Sequence, residues 1–295
     1  MNRPRILCIG EVLWDLFPDG PRFGGATANF ACHAAALGGN VVFITAVGDD
    51  DLGCQAIDVL QSYGVDSSLI QRISNAPTGS VAVSVNVAGK PTFTIHTNSA
   101  WDQIAWSPEF EERLPNADAF YFGTLGQRGA VTRATTKALL QTAMARGIPR
   151  ILDVNLRAPF YDAEIIRESI AHATVLKLSD DELREVTAAC DIELGSDVKR
   201  TLRDLLMKYH LKLVAMTRGS EGAILVSATE TIDQPGIATV VRDTVGAGDA
   251  FTAAFTLGLL RQDSLATIAR MACEVAAATC AHTGAVPLLS SSSGN

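Results

Sequence analysis

The chain has 295 residues, 47% of them hydrophobic and 19% charged, and a formal charge of −8 at neutral pH. That length can bury a sizeable core and suits one large α/β domain, with or without a small appendage. An acidic balance with no basic run excludes nucleic acid or a membrane surface as partner. Six scattered cysteines (Cys8, Cys32, Cys54, Cys190, Cys273, Cys280) form no CxxC pair, so free thiols in a reducing cytosol are expected rather than a disulfide scaffold or zinc site.

The first apolar run lies in Arg5–Gly10 and is only five residues long before Glu11. No small-residue cleavage site follows it, so it reads as a first strand and not as a leader. No stretch approaches the ~20 apolar residues of a membrane span, and a soluble, cytoplasmic protein is expected. Further strands are expected at Val41–Val47, Ala117–Phe122, Arg150–Val154, Thr174–Leu178, Lys212–Thr217 and Ala223–Val226. Between them, helical patterns cover Ala26–Leu37, Leu52–Tyr63, Arg133–Arg146, Asp180–Ala188 and Val198–Tyr209. Unbroken β-branched runs alternating with helices indicate a mostly parallel sheet buried on both faces, a doubly wound α/β fold.

Thr78–Thr97 departs from this rhythm. Two alternating runs joined through Ala88-Gly89-Lys90-Pro91 predict an antiparallel hairpin with one wet face. Decoration, a lid and a dimer clasp all suit such an insertion. From Asp249 onward two small-residue-rich helices are expected, Ala250–Leu260 and Ser264–His282, before a frayed tail at Ser290–Asn295.

The sharpest local signal is Asp243-Thr244-Val245-Gly246-Ala247-Gly248-Asp249. Gly-Ala-Gly just before a helix lets three consecutive amides face one anion, with the helix dipole adding positive potential. Asp249, placed directly after this nest, would repel a merely stored phosphate. It makes sense as a base taking a hydroxyl proton while Gly246, Ala247 and Gly248 hold a transferring phosphoryl group. The bland reading is an acid favouring a first helical turn. Neither GxGxxG nor GxxxxGK[ST] is present, which disfavours a dinucleotide dehydrogenase or P-loop enzyme. The second signal is Phe23-Gly24-Gly25-Ala26-Thr27-Ala28-Asn29. Its paired glycines permit close approach of a ligand, and Asn29 offers donor and acceptor to a polyol; a tight turn into an ordinary helix is the alternative.

Together these two segments resemble the paired signatures of the PfkB family of carbohydrate kinases, in the family's order and across essentially the whole chain. The resemblance implies a ribokinase-like three-layer α/β/α domain with a small β-lid from about 11–23 and 78–97. It implies ATP and Mg²⁺ as cofactors, K⁺ as a further candidate, and a small sugar as substrate. Asp15 falls at the family's sugar-hydroxyl acceptor near the end of strand one, beside Gly24, Gly25 and Asn29. Asp153-Val154-Asn155-Leu156-Arg157 looks like the D-x-N-x-R segment of fructokinase-like members, with Arg157 toward the substrate.

On the nucleotide side the resemblance places Thr217, Gly219 and Gly222 in a T-x-G turn, and Cys273 and Ala277 beside adenine. Ser179 and Glu182 occupy the N-x-x-E position, with Ser in place of Asn, preceded by Lys177; the same pair is a capping-box pattern. Asp243, Val245, Cys280, Thr283 and Ala285 would surround a monovalent cation. The expected activity is ATP-dependent phosphorylation of a sugar, fructose first. Other sugars, 2-keto-3-deoxygluconate, a nucleoside, and an idle sugar- or nucleotide-binding sensor are the alternatives. A homodimer through the lid is also expected. No histidine has metal-ligand spacing; they read as structural or surface residues, and His96, on the lid, is the one candidate to face substrate.

Overall fold

The computed structural model describes residues 3–85 and 91–287. In chain order the strands are β1 (Arg5–Ile9), β2 (Leu13–Phe17), β3 (Gly20–Gly24), β4 (Asn40–Gly48), β5 (Ile70–Ile73), β6 (Gly79–Val85), β7 (Pro91–Ile95), β8 (Ala119–Gly123), β9 (Arg150–Asp153), β10 (Val175–Ser179), β11 (Leu213–Thr217), β12 (Ala223–Ser227) and β13 (Thr231–Gln234). The helices are α1 (Ala26–Ala36), α2 (Asp51–Ser62), α3 (Pro108–Arg113), α4 (Ala130–Ala145), α5 (Ala163–His172), α6 (Leu183–Ala189), α7 (Val198–Lys208), α8 (Ala247–Leu260) and α9 (Leu265–Cys280).

Nine strands form one sheet in the order β13-β12-β11-β10-β9-β8-β1-β4-β5, parallel except that β12 runs antiparallel to both neighbours. Alternate strand residues feed two cores, because successive side chains leave opposite faces of a strand. Leu7, Ile9, Phe120 and Phe122 pack against α3 to α7 through Phe110, Leu139, Ile170, Val186 and Leu205. Ile6, Cys8 and Tyr121 meet α1, α2, α8 and α9 through Phe30, Leu60, Phe255 and Ile268. Phe30 stacks on Tyr121 with ring centroids 3.6 Å apart. This is a three-layer α/β/α fold. All six cysteines are unpaired.

A second sheet has the order β3-β2-β6-β7, with β2 and β3 antiparallel and β2 beside β6 in parallel. The hairpin predicted over Thr78–Thr97 is β6 and β7, with Val81 opposite Ile95. Most of its joining residues, like the tail at Ser290–Asn295, lie outside the described residues.

Several elements did not stand out in the periodicity, namely β2, β3, β5, β13, α3 and α5, and the three-residue turn between β10 and α6 hides where the helix starts. There, Asp180–Glu182 form a turn and α6 begins at Leu183 rather than Asp180. Conversely α8 begins at Ala247, three residues earlier than expected, because Gly246 takes the left-handed φ of 78° that caps it.

Candidate active site

The chain leaves β1 for β4 on one side and later returns to β8 on the other, so the strand order reverses beside β1. Open α/β sheets bind ligands outside the carboxyl ends of strands at such a reversal. Two cavities open there. One, of about 460 Å³, includes Glu11, Asp15, Gly25, Asn29, Asn155, Arg157, Lys177 and Asp249, with Leu13, Val81, Phe93 and Ile95 of the small sheet over it. The other, of about 580 Å³, includes Thr217, Gly219, Gly222, Phe251, Cys273, Ala276 and Ala277. Both are walled by Thr244 and Gly248, so they meet at the start of α8.

Asp249 stands in the first turn of α8 and faces the smaller cavity. Asn29 Nδ2 donates to its Oδ2 at 2.9 Å, across 220 residues of chain. Burial, and then the charge of Asp153, push its pKa up from 3.8 to about 7, against the opposing pull of Asn29, Lys177 and Arg157. A carboxylate that titrates near neutrality is poised to exchange a proton with a bound hydroxyl. Asn29 Oδ1 is buried and has no hydrogen-bond partner among the described residues. An unsatisfied acceptor in a cavity wall is costly, and a ligand hydroxyl would satisfy it.

Only part of the expected three-amide nest is free. Ala247 N–H is turned back to Thr244 O at 3.3 Å. The following amides, at Gly248 and Asp249, belong to the first helical turn and so lack an acceptor four residues back. They lie where the helix dipole favours an anion.

Asp15 is not at the end of the first strand as expected. The chain turns at Gly10 into the small sheet, and Asp15 sits within β2 opposite Arg22 of β3. Burial raises its pKa to about 6, with Arg157 and Arg22 opposing. A Cβ on Gly24 would come 3.0 Å from Asp15 Oδ2, and one on Gly25 would come 2.8 Å from the Glu11 carbonyl. Gly25 has φ 102° and caps α1, so both glycines are required by close approach.

Beneath the floor lies a buried polar network. Lys177 Nζ bonds Asp153 Oδ1 at 3.1 Å, and Thr252 Oγ1 donates to Asp153 Oδ2 at 2.8 Å. Asp153 and Lys177 are each almost fully buried; burial raises the pKa of Asp153 with Lys177 and Thr252 opposing, while Asp153 and Glu182 hold Lys177 above its ordinary value against burial. Lys177 therefore lines the cavity under Asp249 rather than the larger, nucleotide-side one expected for it. Glu182 accepts from Ser179 N (2.8 Å) and Leu156 N (2.6 Å), the reaching-back half of a capping box. Ser179 and Glu182 are in neither cavity wall. Their carboxylate bridge ties the end of β10 to the segment carrying Asn155 and Arg157.

The larger cavity brings together Thr217, Gly219, Gly222, Cys273 and Ala277, as expected. Cys273 and Ala277 are one helical turn apart on α9, which presents them on one face. The opposite wall, Gly236 to Thr239 and Val241, was missed: it is an irregular segment without periodicity. Glu11 was missed too. It is buried, receives Thr27 N–H (3.3 Å) and Thr27 Oγ1–H (3.2 Å), and has its pKa raised by burial; its burial against α1 leaves no mark in the sequence. His96 does not face the cavity. It is exposed, with Nδ1 2.8 Å from Ser80 Oγ, because the adjacent Ile95 takes the inward face.

The residues expected around a monovalent cation come together from two segments, Asp243 and Val245 before α8 and Cys280, Thr283 and Ala285 at and just after the end of α9. Asp243 accepts from Val245 N and Gly284 N, each at 3.0 Å, and Cys280 O accepts from Arg242 N at 2.8 Å. Ala285 O accepts from His33 Nε2 at 2.9 Å, and Thr283 is exposed in the same turn. Cys280 O also accepts from Asp243 N at 3.3 Å, so both its lone pairs are engaged; the Asp243 carboxylate and Ala285 O keep acceptor capacity for a weakly held cation. No group of three or more His, Cys, Asp or Glu gathers as a metal cage among the described residues.

A sequence model of the pfkB family carbohydrate kinases matches residues 19–291. The chain belongs to the PfkB family. Within the family it is 30% identical over 282 residues to “Probable fructokinase-5” of Arabidopsis thaliana, covering 90% of this chain and 85% of that one. It is 29% identical over 267 residues to aminoimidazole riboside kinase of Salmonella typhimurium, covering 87% and 81%. Among solved structures, an uncharacterized sugar kinase from Pyrococcus horikoshii superposes with a TM-score of 0.81 at 27% identity, over 95% of this chain and 93% of that one. The three-layer domain of this PfkB member is accordingly ribokinase-like.

Proposed function

We propose that this PfkB member transfers the γ-phosphoryl group of ATP to a hydroxyl of an uncharged sugar, with fructose the first candidate. The observation that carries the reading is the meeting of two cavities at the 244–248 turn, with Asp249 on the acceptor side. ATP would lie between α9 and the 236–241 segment, its phosphates reaching the first turn of α8. The Pyrococcus relative has been solved with ATP.

In the step itself, Asp249 takes the proton of the acceptor hydroxyl as its oxygen bonds to the γ-phosphorus. The bond from that phosphorus to the β–γ bridging oxygen breaks in line, and ADP departs with the electron pair. The Gly248 and Asp249 amides stabilise charge on the transferring group. Lys177, held by Asp153, supplies positive potential beneath it. Mg²⁺ would neutralise the phosphates, held chiefly by their oxygens and water, as suits a site without a protein cage. The Asp243 turn would hold K⁺. The small sheet acts as a lid whose apolar Leu13, Val81, Phe93 and Ile95 exclude water from the acceptor, and as the surface of a homodimer. The compartment is cytoplasmic.

Charge favours a neutral acceptor. Glu11, Asp15 and Asp249 line the acceptor cavity against Arg157 and an already paired Lys177, a poor setting for the carboxylate of 2-keto-3-deoxygluconate. The aminoimidazole riboside kinase relative makes a riboside the second candidate. The test is ADP release with Mg²⁺ and K⁺ against free sugars, sugar acids and nucleosides. Release that depends on fructose supports the proposal. ATP binding without release for any acceptor would leave the chain a sensor and sink it.

A further inference from the structure

Three side chains pin three consecutive residues behind the start of α8. Asp243 Oδ2 receives the Gly284 N–H at 3.0 Å. The Ala285 carbonyl accepts from His33 Nε2 at 2.9 Å, and the Val286 carbonyl accepts from the Tyr63 hydroxyl. Since a carbonyl can only accept, Nε2 of His33 carries the ring proton.

This strap lies hard against the anion-binding turn. A Cβ placed on Gly246 would overlap the Ala285 carbonyl oxygen and come within 2.8 Å of Ala285 Cα. Gly246 is the left-handed cap from which the first turn of α8 springs, so the position of the Ala285 carbonyl sets the position of the Gly248 and Asp249 amides. His33 itself is 3% exposed and sits on α1 one turn beyond Asn29, the residue that donates to Asp249. One helix thus holds the base directly, and one turn later holds the strap behind the amides that would face the phosphoryl group.

We propose that His33 is a positioning residue for phosphoryl transfer, acting through Ala285 and Gly246 and touching neither substrate. The inference rests on the reading of Asp249 and the first turn of α8 as the transfer site. Its function is to keep the amides and the Asn29–Asp249 pair in one fixed relation. Displacements of about 1 Å at such a site cost on the order of 10²-fold in rate, so loss of the tether should appear in kcat.

The test compares His33→Phe, which fills the space without a donor, with His33→Gln, whose amide nitrogen reaches roughly the place of Nε2. His33→Phe is expected to lower kcat by about 10- to 100-fold, with KM for acceptor and ATP within about twofold of the parent. His33→Gln is expected to recover most of that loss. Tyr63→Phe removes one hydroxyl from the next residue of the strap and is expected to lower kcat in the same sense by a smaller factor. It decides the matter if both His33 variants fail to fold. A His33→Phe enzyme with parental kcat, a loss confined to KM, or folded His33→Gln no better than Phe would each overturn the proposal. So would parental kcat in Tyr63→Phe when neither His33 variant folds. Loss of activity in Asp249→Asn alongside parental kcat in His33→Phe would sink this inference alone; parental activity in Asp249→Asn would instead sink the site reading beneath it.

Discussion

Replacing Asp249 with Asn keeps the side chain's shape and its ability to accept from Asn29 Nδ2, and removes only the charge. In the fold, burial and the nearby Asp153 raise the pKa of this carboxyl from 3.8 to about 7. Each pH unit of displacement is worth about 1.36 kcal/mol, so ionising Asp249 costs the native state up to about 4 kcal/mol. That is a ceiling, because Asp249 as a residue is only half-buried at the cleft. The folded-state pKa lies above the unfolded one, so this cost is absent below about pH 4. It grows as pH rises toward 7 and is constant beyond. The variant should therefore match the parent in stability near pH 4 and exceed it at pH 8, by about 1–4 kcal/mol on the same scale. Its kcat should fall at least ~10²-fold, the scale for losing a general base. Urea unfolding at pH 4 and 8, with coupled ADP release at pH 8, measures both. A variant no more stable than the parent at pH 8, or one retaining kcat, would refute the reasoning that the site is destabilised to hold a base.

Asp15→Asn should raise the acceptor KM by about tenfold with ATP affinity unchanged, the scale of losing one hydrogen bond to a charged group; in the parent, acceptor binding should weaken as pH falls through about 6, where Asp15 protonates. Initial-rate kinetics across pH check both. Lys177→Met leaves Asp153 charged, buried and unpaired, and should cost about 3–5 kcal/mol by urea unfolding. Combining it with Asp153→Leu should return much of that, and a double variant as unstable as the single would argue against the pair. Ala277→Phe projects a ring into the larger cavity and should weaken ADP binding by calorimetry at least ~10-fold without moving Tm by more than a few degrees; undiminished binding would place the nucleotide elsewhere.

The small sheet shows how local pattern and tertiary pairing divide the information. Thr78–Thr97 alternates cleanly and reads as a hairpin because one face meets the cavity and the other meets water. β2 and β3 belong to the same sheet, yet Asp15 interrupts the apolar run of one and Gly20-Pro21-Arg22 opens the other, so no period stands out. Their place was expected only from the family resemblance. His96 went the other way: its place on the lid made it a candidate to face substrate, and the register of β7 gave the inner face to Phe93 and Ile95.

The sequence by itself determined the parallel sheet, through unbroken apolar strands alternating with helices, and it determined Asp249 behind glycines at a helix start. Both are consequences of neighbouring residues, and neighbours leave a pattern. Only the tertiary structure decided that Asn29 would hold Asp249, that Lys177 would be committed to Asp153 rather than to the larger cavity, and that Glu11 and the 236–241 segment would wall the two cavities. These relations join residues tens to hundreds of positions apart. They arise because two helices and several strand ends converge at one edge of the sheet, and a contact made by convergence imposes no spacing on the chain that makes it.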